Sequence, residues 1–225
     1  QQLAALTRAL QAGSDVALAA VPLLAEGIDA QPDAVAQPVP NPSDHRDTVG
    51  TVREASPAEV DAALQAAHAE APQWAATPPT ARAQMLRQAA EALEADLPAL
   101  LGTLVREAGK TYANAMAEVR EAVDFLRYYA AQAQAGFDTA THRPLGPVLC
   151  ISPWNFPLAI FTGQIAAALA AGNTVLAKPA EQTPLIATLA VQHLHRAGVP
   201  RAALQLLPGR GETVGARLTG DARIQ

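Results

Sequence analysis

Apolar positions recur at helical spacing through the first part of the chain and give way to short apolar runs separated by Ala-rich stretches from residue 146 onward. Residues 1 to 30 read as helical pieces. Gln31 to Pro42 holds four prolines, which predicts a linker or an extended entry rather than a regular element. Thr48 to Ala55 is short and partly β-branched, the pattern of a strand. Ser56-Pro57-Ala58-Glu59 then carries the signature of a helix start. Ser56 is placed to cap, Glu59 lies three residues on, and Val60, Ala63, Leu64 and Ala67 follow along one face. Thr80 begins a second helix. Leu97 to Ala108 and Tyr112 to Gln134 give two more, ended by Gly109 and Gly136. Four helices are therefore expected ahead of any sheet, with no internal repeat.

From Gly146 the period changes. Leu149 and Ile151 flank Cys150 in an apolar run bounded by Gly146-Pro147 and Pro153, which predicts a buried strand. Pro157 suits a first helical turn because its missing N–H costs nothing there. Ile160, Gln164, Ala167, Ala168 and Ala171 continue at helical spacing until Gly172-Asn173. Thr174 to Ala177 is a second apolar run, so the two strands start about 25 residues apart, close to the size of a βαβ unit. A right-handed parallel crossover is expected. Pro184 to Ala197 reads as the next helix with Gly198 as its stop. Leu204 to Leu207 is a third strand, and Gly209-Arg210-Gly211 opens a helix running through Gly215 toward Leu218. The fold class this implies is α/β.

In such sheets ligands lie outside the carboxyl ends of the strands, where Ser152 to Asn155 and Lys178 to Glu181 fall. Lys178 could donate to ribose hydroxyls and Glu181 could accept from them. The glycines at the third turn are spaced Gly-x-Gly-x-x-x-Gly, which departs from the dinucleotide fingerprint, so a ligand contact and a plain turn both remain open.

Composition narrows the class. Half of the 225 residues are apolar, dominated by Ala, and aromatics are only 4%, which predicts a core of closely packed helices. One cysteine argues against a disulfide framework and fits a reducing compartment. No apolar run approaches the roughly 20 residues that span a bilayer, and the N-terminus lacks a charged-then-apolar signal pattern. A net charge of −5 without a basic cluster argues against a nucleic-acid partner. A cytoplasmic protein is expected.

Three ordered motifs then become specific. Pro153-Trp-Asn-Phe-Pro157, Lys178-Pro-Ala-Glu181 and Leu207-Pro-Gly-Arg-Gly211, at these separations, resemble the cofactor half of the aldehyde dehydrogenase superfamily. Val39-Pro-Asn-Pro-Ser-Asp-His-Arg-Asp47, Val105-Arg-Glu-Ala-Gly-Lys-Thr111 and Ala117 to Tyr129 resemble its L-glutamate γ-semialdehyde dehydrogenase branch in the bacterial bifunctional proline utilization group. The likeness runs from about Pro38 to the end, while residues 1 to 36 carry little that is diagnostic.

The resemblance implies a helical N-terminal region followed by an incomplete Rossmann-like parallel sheet of about three βα units. The expected segments are 1–36 (helical segment and linker), 37–144 (leading into the cofactor domain) and 145–225 (partial NAD-binding domain). It also implies a cysteine thiolate that attacks an aldehyde, hydride passing to NAD, and a glutamate-activated water that hydrolyses the thioester. Asn155 matches the side-chain donor to the oxyanion. Ile151, Ser152, Pro153, Trp154, Asn155, Lys178, Ala180, Glu181 and Gly211 match cofactor contacts. Glu181 near the ribose predicts NAD over NADP. FAD would belong only to a proline dehydrogenase part outside this chain, and the full-length protein is expected to be a homo-oligomer acting on a small aldehyde. The family's nucleophile and general base are expected beyond Gln225, so the chain reads as a fragment that is inactive in isolation. Cys150, without a basic neighbour in sequence, reads as an inert core residue.

Other readings stand beside this one: a nucleotide-binding module without chemistry, a truncation whose open sheet edge promotes association, or an aldehyde dehydrogenase with a different substrate. Several residues have plainer readings. His193 and His195 are two apart in a helix and so lie on different faces, poor for joint metal binding and expected to be surface polarity. His45 falls in a polar loop, and Tyr128 and Tyr129 read as packing residues. Trp154 reads equally as a wedge and as a cofactor contact. Glu118, Arg120 and Glu121 could shape a substrate entrance, given the place the resemblance assigns to their helix, or form a charged helix face.

Overall fold

The computed structural model describes residues 17–29, 35–137 and 140–225. Most of the helical pieces expected in residues 1 to 30 therefore lie outside the described residues. Within 17–29 the expectation fails: Leu18–Ala20 form strand β1, and Leu23 makes an antiparallel bridge to Leu206. Pro22 lacks an N–H and disfavours a helical residue before it. The backbone groups of Leu23 are instead satisfied across the chain, by two 3.0 Å hydrogen bonds with Leu206.

The proline-rich entry is also more regular than its composition suggests. Gln37–Asn41 form β2 and Asp44–Val52 form β3, and the sheet order is β1-β3-β2 with β2 antiparallel and β1 parallel to β3. β2 is an edge strand, the position where Pro38 and Pro40 leave no ladder donor missing. The register shifts around Pro40.

Four helices follow among the described residues, as expected: α1 (Pro57–Ala76), α2 (Pro79–Ala95), α3 (Leu97–Ala108) and α4 (Tyr112–Gly136). Ser56 and Glu59 form a reciprocal capping box. The Ser56 hydroxyl accepts from Glu59 N at 3.2 Å, and the Glu59 carboxylate accepts from Ser56 N at 2.8 Å. The same carboxylate takes two 2.9 Å hydrogen bonds from the buried Arg53 guanidinium. Gly109 ends α3 in the left-handed region at φ +63°, and the chain re-enters a helix behind the Thr111 cap.

The second sheet contains β4 (Pro147–Ile151), β5 (Thr174–Lys178) and β6 (Leu204–Leu206), all parallel in the order β4-β5-β6. Helices α5 (Ala159–Ala170) and α6 (Pro184–Arg196) make the crossovers. A π-helical turn at Gly211–Gly215 and a short helix α7 (Ala216–Thr219) follow β6. Side chains of β5 alternate between two cores. Val175 and Ala177 pack with α2 to α6, whereas Leu176 packs with Val60, Ala63, Leu64 and Ala67 of α1. The sheet is thus covered on both faces, which accounts for the unbroken burial of β5. β4 is less enclosed than expected: as an edge strand it leaves Ile151 exposed. The alanine-rich composition is used where α4 meets its neighbours, since Ala89, Ala90, Ala115, Ala122 and Ala130 are fully buried. At Gly163 a Cβ would lie 2.8 Å from the Phe125 ring, so glycine is what lets α5 approach α4.

Candidate active site

The parallel sheet brings three turns together at the carboxyl ends of its strands. Ile151 and Lys178 are register partners at the ends of β4 and β5, and Ser152 N donates to Lys178 O at 3.3 Å. The turn after β6 joins them through Glu181, whose carboxylate accepts from Gly211 N at 3.3 Å. The sequence-predicted cofactor residues Ile151 to Asn155, Lys178 to Glu181 and Gly211 therefore lie on three adjacent turns. Pro153 to Phe156 form an exposed bend, with Trp154 at 55% and Phe156 at 41% exposure, so Trp154 is no buried wedge in this structure.

Lys178 is 3% exposed, and its ammonium donates to Pro179 O at 3.0 Å. Burial pulls its pKa down, while the carboxylates of Glu181, Glu54 and Glu212 act in the opposite direction. Glu54 and Glu212 were not singled out from the sequence. No motif marks them, and only the folding of α1 and the β6 turn around β5 brings their charge to Lys178. Ser152 is buried, and among the described residues its hydroxyl has no hydrogen-bond partner. An ammonium with donors to spare, an exposed carboxylate nearby and an orphaned hydroxyl are a donor and acceptor set suited to the ribose hydroxyls of a dinucleotide. A Cβ built on Gly211 would meet no atom of the described residues within 4 Å, which leaves the third turn open there, whereas one on Gly209 would lie 2.3 Å from the Val214 side chain.

Beneath these turns two buried glutamates hold the crossover helices. Glu107, at the end of α3, accepts from Leu185 N at 2.6 Å and Ile186 N at 2.9 Å at the start of α6. Glu118, on α4, accepts from Leu158 N at 3.3 Å and Ala159 N at 2.9 Å at the start of α5. Each satisfies N–H groups that a helix start leaves unpaired and lies against the positive end of the helix dipole. Glu118 also pairs with Lys110 at 2.8 Å. Arg120 and Glu121, grouped with it on sequence, are exposed.

Burial pushes the Cys150 thiol up to about 12, in keeping with its reading as a core residue. The histidines differ from expectation. His193 is buried with its Nε2 2.9 Å from Asp96, and the half-buried His195 places its Nε2 2.9 Å from Leu204 O, so both tie α6 to its surroundings instead of decorating a surface. Tyr129 packs partly against the core, while Tyr128 is 56% exposed and meets it edge-on at 5.1 Å. Among the described residues no group of three His, Cys, Asp or Glu is placed to hold a metal, and no helix is long and apolar enough to cross a membrane.

The pattern of the aldehyde dehydrogenase family matches residues 29–225, and the chain belongs to that family. Among curated relatives it is 68% identical over 189 residues to the bifunctional protein PutA of Klebsiella aerogenes, covering 84% of this chain and 14% of that protein. It is 59% identical over 224 residues to the PutA of Escherichia coli, covering 100% of this chain and 17% of that one. It is also 40% identical over 197 residues to the 1-pyrroline-5-carboxylate dehydrogenase of Anoxybacillus flavithermus, covering 82% of this chain and 38% of that one. The chain thus spans well under half the length of these relatives. The solved 1-pyrroline-5-carboxylate dehydrogenase from Thermus with bound NAD superposes with a TM-score of 0.91 at 35% identity, over 98% of this chain and 45% of that one.

Proposed function

We propose that this chain supplies the cofactor-binding part of an NAD-dependent L-glutamate γ-semialdehyde dehydrogenase, in a bifunctional polypeptide whose FAD-dependent proline dehydrogenase part lies elsewhere. The observation that carries the reading is the meeting of the Ile151, Lys178 and Gly211 turns at one end of the parallel sheet. Similarity to PutA proteins over the whole chain and to a 1-pyrroline-5-carboxylate dehydrogenase over 82% of it supports the substrate.

Lys178 would donate to ribose hydroxyls while Glu181 would accept from them, and the Ser152 hydroxyl would gain a partner it lacks among the described residues. Three carboxylates around Lys178 disfavour a further phosphate on the ribose, which selects NAD over NADP. Asn155, exposed in the turn beyond β4, donates its side-chain N–H to the oxyanion that forms when a thiolate adds to the aldehyde. A donor fixed in advance at that position contributes about 3 to 4 kcal/mol to the transition state. Cys150 is not the nucleophile: it is 4% exposed and burial pushes its thiol up to about 12, so the thiolate is a different cysteine of the polypeptide. NAD, when bound, accepts the hydride.

The test is turnover by the natural polypeptide that contains this chain. With L-glutamate γ-semialdehyde and NAD, reduced cofactor and glutamate should appear in equal amounts. NAD binding without turnover of any aldehyde would replace the enzyme by a nucleotide-binding module, and faster turnover of an unrelated aldehyde would keep the class and change the substrate.

A further inference from the structure

Three side chains from three parts of the chain meet beside the turn that carries Asn155. Lys110 follows the left-handed Gly109 at the end of α3, and its ammonium lies 2.8 Å from Glu118 Oε1. The same ammonium sits 4.9 Å from the centroid of the Phe156 ring, over its face. The other Glu118 oxygen accepts from Leu158 N and Ala159 N, the residues on which α5 starts. Both side chains of the pair are removed from water, at 13% exposure for Lys110 and 2% for Glu118. Asn155 is bonded directly to Phe156, and α5 begins three residues further on. The turn is thus held on one side by a cation against its ring and on the other by a carboxylate on the helix it leads into.

We propose that Lys110 and Glu118 are positioning residues for Asn155, fixing the turn between β4 and α5 so that the amide points where the oxyanion forms. The proposal rests on the reading of Asn155 given above. A cation over an aromatic face, shielded from water, is a directional contact. The carboxylate that anchors the cation is itself held by two backbone donors and a helix dipole. Mispositioning a reacting group by about 1 Å can cost on the order of a hundredfold in rate.

The experiment uses the natural polypeptide with Lys110→Met, which keeps the length and apolar stem of the side chain, Lys110→Arg, which keeps the charge, and Phe156→Leu. Glu118 retains its backbone donors in all three. Lys110→Met should lower kcat on the order of tenfold to a hundredfold with NAD affinity within about twofold of wild type. Lys110→Arg should recover much of the loss. Lys110→Met combined with Phe156→Leu should be no slower than the slower single variant, because both act on one contact. A second readout is independent of activity: the 19F resonance of 5-fluorotryptophan at position 154, assigned by Trp154→Phe, should broaden or split in Lys110→Met and sharpen again in Lys110→Arg. An unchanged Trp154 resonance in Lys110→Met overturns the brace whether or not the polypeptide oxidises the semialdehyde. So does a rate loss matched by an equal loss of NAD affinity, or additive losses in the double variant. A wild-type polypeptide that lacks dehydrogenase activity overturns the functional reading instead, and the 19F result still decides the brace.

Discussion

Glu107 Oε1 accepts a 2.6 Å hydrogen bond from the backbone N–H of Leu185, joining the end of α3 to the start of α6 across 78 residues of sequence. Burial raises the Glu107 carboxyl from its ordinary 4.5 to about 8, and the two backbone donors offset that only in part. The folded chain therefore keeps a proton that the unfolded chain loses between those two values. Stability should fall as pH rises from 4.5 to about 8, by up to about 1.4 kcal/mol per pH unit, and should level off above. Urea unfolding across this range measures the slope. Glu107→Gln should flatten it, while costing about 1 kcal/mol at low pH for a poorer cap. An unaltered slope in the variant would assign the pH dependence to another group.

Much of this architecture is legible in the residues. Ser56 with Glu59, Gly109, and the Gly198 stop each encode a local hydrogen-bonding pattern or backbone conformation, and the structure places the corresponding helix ends within a residue or two of expectation. Strand β2 was hidden because Pro38 and Pro40 look like breakers, and only an edge position reconciles them with a sheet. β1 was hidden because three residues carry no period; pairing with β3 decides their conformation. At the site, the placement of Ile151, Lys178 and Gly211 in turns after strands was legible because motif and strand end coincide. Lys110, Glu107 and Glu54 were not, since their role comes from distant segments packing against those turns. Nothing in the spacing of Glu107 points to Leu185.

Cys150 should be inert in the folded chain. It is the sole cysteine of the sequence and is 4% exposed, and burial pushes its thiol up to about 12, which leaves almost no thiolate at neutral pH. A chromogenic disulfide reagent should label this chain at a rate set by unfolding, and immediately in denaturant. Cys150→Ala removes only a sulfur from a well-packed strand and should leave dehydrogenase turnover of the natural polypeptide within about twofold while costing on the order of 1 kcal/mol of stability. Rapid native labelling would show that the β4 edge opens.

Asn155→Ala should separate binding from chemistry. Its side chain stands in the exposed bend beyond β4. In the natural polypeptide kcat should fall by about a hundredfold to a thousandfold, the usual consequence of losing one oxyanion donor. NAD affinity, measured by calorimetry, should change little. A loss confined to affinity would remove Asn155 from the chemical step and make it a cofactor contact.

Glu181→Gln tests the cofactor preference most directly, because the substitution keeps the shape and an acceptor oxygen while deleting the charge. The carboxylate accepts from Gly211 N at 3.3 Å, and an amide oxygen can do the same, so the turn after β6 should survive. A 2′-phosphate beside the ribose would meet the Glu181 charge in an exposed site, where screening limits the repulsion to about 1.4 kcal/mol, or one factor of ten in relative affinity. The ratio of kcat/KM for NAD over NADP should therefore fall about tenfold, through better use of NADP, with NAD kinetics largely kept. The preference should not invert, since Glu54 and Glu212 still surround Lys178 with negative charge. Adding Glu54→Gln should lower the ratio further, and discrimination indifferent to both changes would place the ribose away from Lys178.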